Sequence, residues 1–430
     1  MKRVLMFTLA LCLSIMMVNA QDWPQFLGPH RNSYSDDKGL LRSWPANGPE
    51  VLWSIEVGEG YGGPAIKDGK VYLLDRENNE SDIMRCFDLS SGKELWKYSY
   101  SAPGEVPYPG SRSVPTIDGN YLYSCGHNGD LYCIDINTHQ PVWHKNIWTD
   151  FGGGKLPMWA IAQCPLIYGD MVILTSQAPE CGVVAYNKMT GAVVWKTLKF
   201  PEETYASPSV AKIDGQDQII IIISSTNMYT NRNGAPKVMG RIMGMEPKTG
   251  KVLWTYNDWE CMISVPSATD VGNNKILAVG GYERGATMLQ ISKNSDGTYK
   301  ATELFTTEEF GDQTKPALLI DNYFYAIYRT VNRRDGMCCM DMNGNVMWKT
   351  KRSPDFEKGS MIYADGLILA TDGMKSLYLI EPSPEGFKAL AKADILGESA
   401  GSQNWAPIAL SNGKLLVRNQ NQMFCVKVSK

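Results

Sequence analysis

Eleven side chains in the polar, glycine-rich stretches of this 430-residue sequence have the chemistry of a binding or reaction centre. Glu260 and Asp312 are carboxylates that could act as an acid/base pair, as in a glycan lyase or hydrolase. With Asn404 they could instead coordinate Ca²⁺, which takes oxygen ligands. Arg112 and Lys315 could hold the carboxylates of a ligand. Tyr61, Tyr108, Trp159, Tyr205 and Trp405 could stack on a planar or sugar-like molecule, with Gln163 beside them as an amide partner. No local spacing among the eleven specifies one reaction. The four histidines form no metal-ligand pair with Cys or Glu, and no C-x-x-C-H haem attachment motif occurs.

The elements that position these residues follow from an internal repeat. Trp53, Trp96, Trp143, Trp195, Trp254 and Trp348 each end the same short apolar run, at steps of 43, 47, 52, 59 and 94, the last being two steps of 47. Glycine precedes four of these tryptophans by four residues: Gly92, Gly191, Gly250 and Gly344. Degenerate copies end near Phe305 and Leu390, which makes eight strands of this type. Turn dipeptides give the same count. Asp68-Gly69, Asp118-Gly119, Gly169-Asp170, Asp214-Gly215, Gly272-Asn273, Asp321-Asn322, Asp365-Gly366 and Asn412-Gly413 all lie between short apolar runs, the signature of a two-residue hairpin. A third strand, as in residues 84–87 and 131–134, leads through a polar turn to the tryptophan strand.

Each unit is therefore a four-stranded antiparallel meander. One such sheet cannot bury both faces, so the copies must stack radially. The predicted fold is all-β: an eight-bladed β-propeller of about 51 residues per blade. Residues 51–57 form a tryptophan strand with no three strands before it, and the chain ends with three strands lacking a fourth. The N-terminal strand is expected to close the last blade and remove the free edges. Residues 21–430 are thus one domain, with an irregular insert expected at 227–237 in the fourth blade. In such a ring, the loops that carry the eleven residues converge around a central channel, the default binding pocket.

The motif Ala185-x-Asn187-x-x-Thr190-Gly191-x-x-x-Trp195 resembles the tryptophan-docking motif of quinoprotein propellers. Its copies at Cys86–Trp96, Cys133–Trp143 and Gly244–Trp254 fit it too, while the copy from Cys339 to Trp348 is one residue short. The segment Asp22-Trp-Pro-Gln-Phe-Leu-Gly-Pro-His-Arg31 is similar to the opening of exported PQQ-binding-like β-propeller repeat proteins. The resemblance spans nearly all of residues 21–430. It implies the propeller fold and two functions. One is a binding or scaffold module, for a protein, a glycan or a small ligand, as in an outer-membrane assembly lipoprotein. The other is a PQQ- and Ca²⁺-dependent oxidoreductase acting on alcohols or sugars. Some quinoprotein dehydrogenases also place a disulfide between adjacent cysteines, for which Cys338-Cys339 is the counterpart here. That pair lies in a strand, where neighbouring side chains point to opposite faces. Cys164 and Cys181 fall in one blade, where a bridge stays open. Cys86, Cys133, Cys339 and Cys425 occupy the position held by Ala185 and Gly244, that of a compact filler.

Composition bounds the partners. There are 42 Lys+Arg against 45 Asp+Glu, a net charge of −3, so sequence-independent attraction to nucleic acid is not expected. Lys2 and Arg3 precede an apolar run over 4–18 and then Asn19-Ala20-Gln21, the pattern of a secretory signal peptide over residues 1–20 cleaved near Ala20-Gln21. Leu11 precedes Cys12 where lipoprotein processing expects a small residue. The mature chain is expected to be periplasmic or secreted, with no transmembrane segment and as a monomer.

Overall fold

The computed structural model describes residues 21–226, 236–397 and 403–430. The expected signal peptide at 1–20, and most of the expected insert at 227–237, lie outside the described residues. All eight turn dipeptides join the first and second strands of a meander, as at Ala65–Lys67 and Lys70–Glu77. At Asp68-Gly69, with φ of 50° and 71°, both central residues are left-handed, the twist that a two-residue hairpin needs.

Eight sheets result. Blades 1 to 6 span residues 65–101, 116–146, 166–196, 209–259, 269–307 and 318–349, each a four-stranded meander. Blade 7 spans 361–394, and blade 8 joins three C-terminal strands over 409–427 to the N-terminal strand Val51–Glu56. That strand pairs antiparallel with Gln422–Lys427, so the expected closure of the ring is observed. Among the described residues one short helical turn occurs, Thr149–Phe151, and no helix is long and apolar enough to cross a membrane.

The apolar core is not one central mass. It is a series of layers between neighbouring blades. Ile219, Ile221 and Ile223 of blade 4 pack with Ile173 and Val183 of blade 3. Ile220 and Ile222, on the other face of the same strand, pack with Ile276 and Leu289 of blade 5. Alternation also separates the adjacent cysteines: Cys338 faces blade 5 and Cys339 faces blade 7. Both are free, as are Cys164 and Cys181, and all nine described cysteines are buried.

The tryptophans dock one blade onto the next. The indole N–H of Trp195 in blade 3 donates to the Pro247 carbonyl of blade 4 at 3.0 Å, and its ring covers Gly250. Trp53 docks on Leu89 and Gly92 in the same way, and Trp143 on Lys188 and Gly191. A methyl group at Gly250, where φ is +71°, would lie 2.4 Å from the Trp195 ring. The repeated glycine is thus the seat for the preceding blade's indole. At one junction the seat is His139, with φ of 61°. There Trp96 stacks on the imidazole at 4.8 Å instead, and its buried indole N–H has no partner among the described residues.

One feature departs from the meander pattern. Residues 22–41 form a strap across the turn side of the ring. Trp23 exchanges two backbone hydrogen bonds with Ile66 of blade 1, and the Pro24 carbonyl accepts from Ile117 of blade 2. Arg31 donates to the carbonyls of Pro165 and Pro208, ahead of blades 3 and 4, at 3.1 Å each. Tyr34–Ser35 then pairs parallel with Met361–Ala364 as a fifth strand of blade 7. Asp37 accepts from Gly413 of blade 8 at 2.8 Å.

Two outcomes are expected. Trp195→Ala should destabilise the protein by about 3–5 kcal/mol and Gly250→Ala by about 1–3 kcal/mol. The double variant should cost less than the sum, because both changes remove one contact; denaturant titration of the four proteins measures this. In denaturant, nine thiols from residues 21–430 should react with a thiol reagent, and hardly any in the folded protein; seven would reveal one disulfide.

Candidate functional site

The loops from the fourth strand of one blade to the first strand of the next lie opposite the turn side. Nine of the eleven residues singled out above form one continuous set there. The Tyr61, Tyr108 and Trp405 rings form a triad with centroid separations of 5.3, 5.7 and 6.0 Å. Backbone packing holds the triad: residues 59–63 run beside 107–112, with Gly60 bridged to Ser111 and Tyr61 N–H on the Ser111 carbonyl at 2.7 Å. A Cβ at Gly63 would come within 2.3 Å of the Pro407 carbonyl, so no other residue fits this approach. The Tyr61 hydroxyl donates to Gln403 Oε1 at 2.6 Å.

Arg112 lies beside the triad. Its terminal nitrogens donate to the carbonyls of Pro107, Tyr108 and Trp159, and its buried Nε has no partner among the described residues. Among the described residues no carboxylate neutralises it, and burial lowers its pKa to about 10. Trp159 meets Tyr205 edge to face at 5.7 Å, and the Tyr205 hydroxyl donates to Glu203. Below Trp405, Lys315 Nζ donates to the Trp405 carbonyl at 2.8 Å. Asp312 accepts from the backbone N–H groups of Thr314, Lys315 and Ile327. Burial dominates both groups, raising Asp312 to about 6 and lowering Lys315 to about 8. Asn404 is buried and its amide donates to the Met374 carbonyl.

Two residues stand apart from the set. Glu260 is half-exposed and paired with Lys237, so it shares neither a proton nor an ion with buried Asp312. Gln163 is a structural link, donating to Ala206 O and accepting from Thr175 N–H. Among the described residues no group of three or more His, Cys, Asp or Glu is placed to hold a metal ion. The Ca²⁺ set Glu260, Asp312 and Asn404 is not assembled: Glu260 is on the surface with Lys237, Asp312 accepts from backbone N–H groups, and Asn404 donates to the Met374 carbonyl. The adjacent cysteines, on opposite strand faces, offer no disulfide platform for a quinone. The residues present do not fit a PQQ and Ca²⁺ centre of the expected composition.

Sequence reasoning missed three contributors. Lys358 Nζ sits 4.3 Å from the Trp405 ring centroid, a cation–π contact. Gln403 orients Tyr61. Arg418 is buried at the end of a blade 8 strand and donates to the Gly58 carbonyl at 2.6 Å, supporting the 59–63 loop. A charge after an apolar run, as in Arg418, was the one signal available, and a solvated strand end reads the same way.

An eight-bladed ring with docked tryptophans and an aromatic, cationic loop face defines a propeller of the quinoprotein-like class. The chain belongs to the family described as outer membrane protein assembly factor BamB, whose profile matches residues 79–350. It is 25% identical over 256 residues to the outer membrane protein assembly factor BamB of Shewanella oneidensis, covering 48% of this chain and 61% of that protein. It is also 25% identical over 300 residues to the dehydrogenase subunit of the quinone alcohol dehydrogenase of Gluconacetobacter polyoxogenes, covering 56% and 39%. The matched region thus spans less than two thirds of either relative. Among solved structures, BamB from Moraxella catarrhalis superimposes with a TM-score of 0.59 at 14% identity, covering 88% of this chain and 99% of that one. A europium-containing methanol dehydrogenase does so with 0.64 at 13% identity, covering 94% and 90%. Both likenesses establish the fold.

The buried pair gives a pH prediction. Between about pH 8 and 10.5 the unfolded chain keeps the Lys315 proton that the folded chain has lost, so this group makes stability rise with pH across that window. Unfolding free energies of wild type minus Lys315→Met should therefore increase from pH 8 to pH 10.5, by up to ~3 kcal/mol; a flat difference refutes the assignment.

Proposed function

We propose that the protein is an exported, non-catalytic binding propeller whose loop face docks a protein partner. The observation that carries this reading is the triad of Tyr61, Tyr108 and Trp405 beside Arg112, a guanidinium with no carboxylate partner among the described residues. Tyr108 and Met158 are 43% and 36% exposed on the same face. Aromatic residues, Met and Arg are the types enriched in protein interfaces and among their hot spots. The family match supports the same reading, because its printed description is that of an assembly factor. Residues 1–20 act in it as the export signal, on the sequence pattern alone. Arg112, which has no ion pair among the described residues, suits an acidic segment of the partner, whereas Lys358 is already paired with Glu357 at 2.7 Å.

The runner-up is a PQQ- and Ca²⁺-dependent oxidoreductase acting on alcohols or sugars. Its support is the similarity to quinone-dependent alcohol dehydrogenases. One experiment separates the two. The mature chain is used to capture partners from envelope extract, in parallel with Tyr108→Ala and Trp405→Ala, and its thermal stability is measured with PQQ and Ca²⁺. We expect a saturable protein partner whose affinity falls ~10- to 100-fold in the variants, and no shift with the quinone. A thermal shift with PQQ, together with dye reduction on an alcohol, would overturn the binding reading.

A further inference from the structure

A cavity of about 700 Å³ lies on the turn side, between the strap and the inner strands of blades 3 to 6. Pockets that enclose small ligands span roughly 300–1,000 Å³. The strap bonds by backbone to blades 1, 2, 7 and 8 and reaches blades 3, 4 and 6 through the Arg31 and Tyr34 side chains, but no hydrogen bond among the described residues links it to blade 5. The inner strand of that blade, Thr269–Gly272, is left facing open space. At its inner end Asn32 and Tyr34 form the wall; Ser33, between them, lines a separate void of about 10 Å³ with Asp312 and Lys315. The cavity is therefore closed off from the loop-face mouth.

Its walls differ in charge. Arg31 lines the strap side, but its guanidinium is held by Gln25 Oε1 and by main-chain carbonyls. On the blade side stand the exposed carboxylates Asp270 and Asp321, neither in an ion pair among the described residues. Asp270 accepts two backbone N–H groups, from Lys212 and Gly272, which fix its carboxylate and leave lone pairs free. Asp321 and Asn322 occupy a tight turn with φ of 47° and 66°, so their side chains are set by the hairpin. Between the walls lies an apolar floor that includes Leu166, Val210, Ala268 and Ala317.

We infer that this turn-side cavity is a second binding site, taking a neutral oligosaccharide. A cation would face Arg31, and an anion would face Asp270 and Asp321. An uncharged molecule rich in hydroxyls avoids both penalties. Its O–H groups donate to the two carboxylates and its oxygens accept from the amide of Asn322. Its C–H faces cover the apolar floor. The cavity opens to solvent on the turn side and ends at the strap wall, which suits a compact ligand or a chain end better than an extended peptide, which needs a path past the strap. The inference is independent of the partner surface proposed on the opposite face.

Calorimetric titration of the mature protein with maltotriose, cellotriose, N,N′,N″-triacetylchitotriose and, for comparison, tetralysine tests the assignment. At least one trisaccharide should bind with a 1:1 stoichiometry, and Val210→Trp, which fills the floor, should weaken it at least ~10-fold. Asp321→Asn keeps its turn and serves if Val210→Trp does not fold; it should weaken the same sugar by roughly 3- to 10-fold. Tyr108→Ala, on the far face, should leave it unchanged. Three results would each overturn the site: no binding by any of the three sugars, sugar binding unaffected by these variants, or binding of tetralysine alone.

Discussion

The seat of an indole on a glycine of the next blade is the contact on which this ring depends. A four-stranded meander exposes two apolar faces, and neither can be buried without a neighbour. The Trp195 ring covers the blade 4 turn while its N–H satisfies the Pro247 carbonyl, so one side chain provides both apolar area and a hydrogen bond. The glycine is required twice over, by its positive φ and by the ring lying where a Cβ would be. Where His139 takes the seat, stacking is kept but the hydrogen bond is lost, which shows that the two parts of the contact are separable.

The core of the ring is a set of layers between blades, to which the strap adds Trp23, Phe26 and Leu27. The two ends of the ring are finished differently. On the loop side, backbone-to-backbone packing of glycine-rich loops sets three aromatic rings around the mouth. On the turn side, the strap crosses the ring and ties seven blades together. Three of the buried guanidiniums, Arg31, Arg112 and Arg418, direct donors at main-chain carbonyls, whereas Arg76 is paired with Asp82. A guanidinium is an economical way to satisfy several loop carbonyls that the meander leaves unpaired.

The candidate site was partly legible. The aromatic residues and Arg112 were found by their place between repeats, and the ring does bring them together. Glu260 and Asp312 looked like partners because both are carboxylates in neighbouring loops. Burial separates them: Asp312 is enclosed by three N–H groups, and Glu260 remains at the surface with Lys237. Lys358 and Arg418 carry no motif, and their roles depend on which ring or carbonyl the fold places beside them.

The sequence by itself determined the number of blades, the place of every hairpin and the closing strand. These depend on local φ preferences and on a period that repeats along the chain. It also determined which glycines recur, though not that each receives the indole of the blade before it. Only the tertiary structure decided the course of residues 22–41, the division between the two faces and the cavity beside blade 5. Those features rest on contacts between residues such as Arg31 and Pro208, or Asp37 and Gly413, far apart in the chain. No periodicity encodes such pairings, because they arise only when the ring closes and brings eight separate strands to one axis.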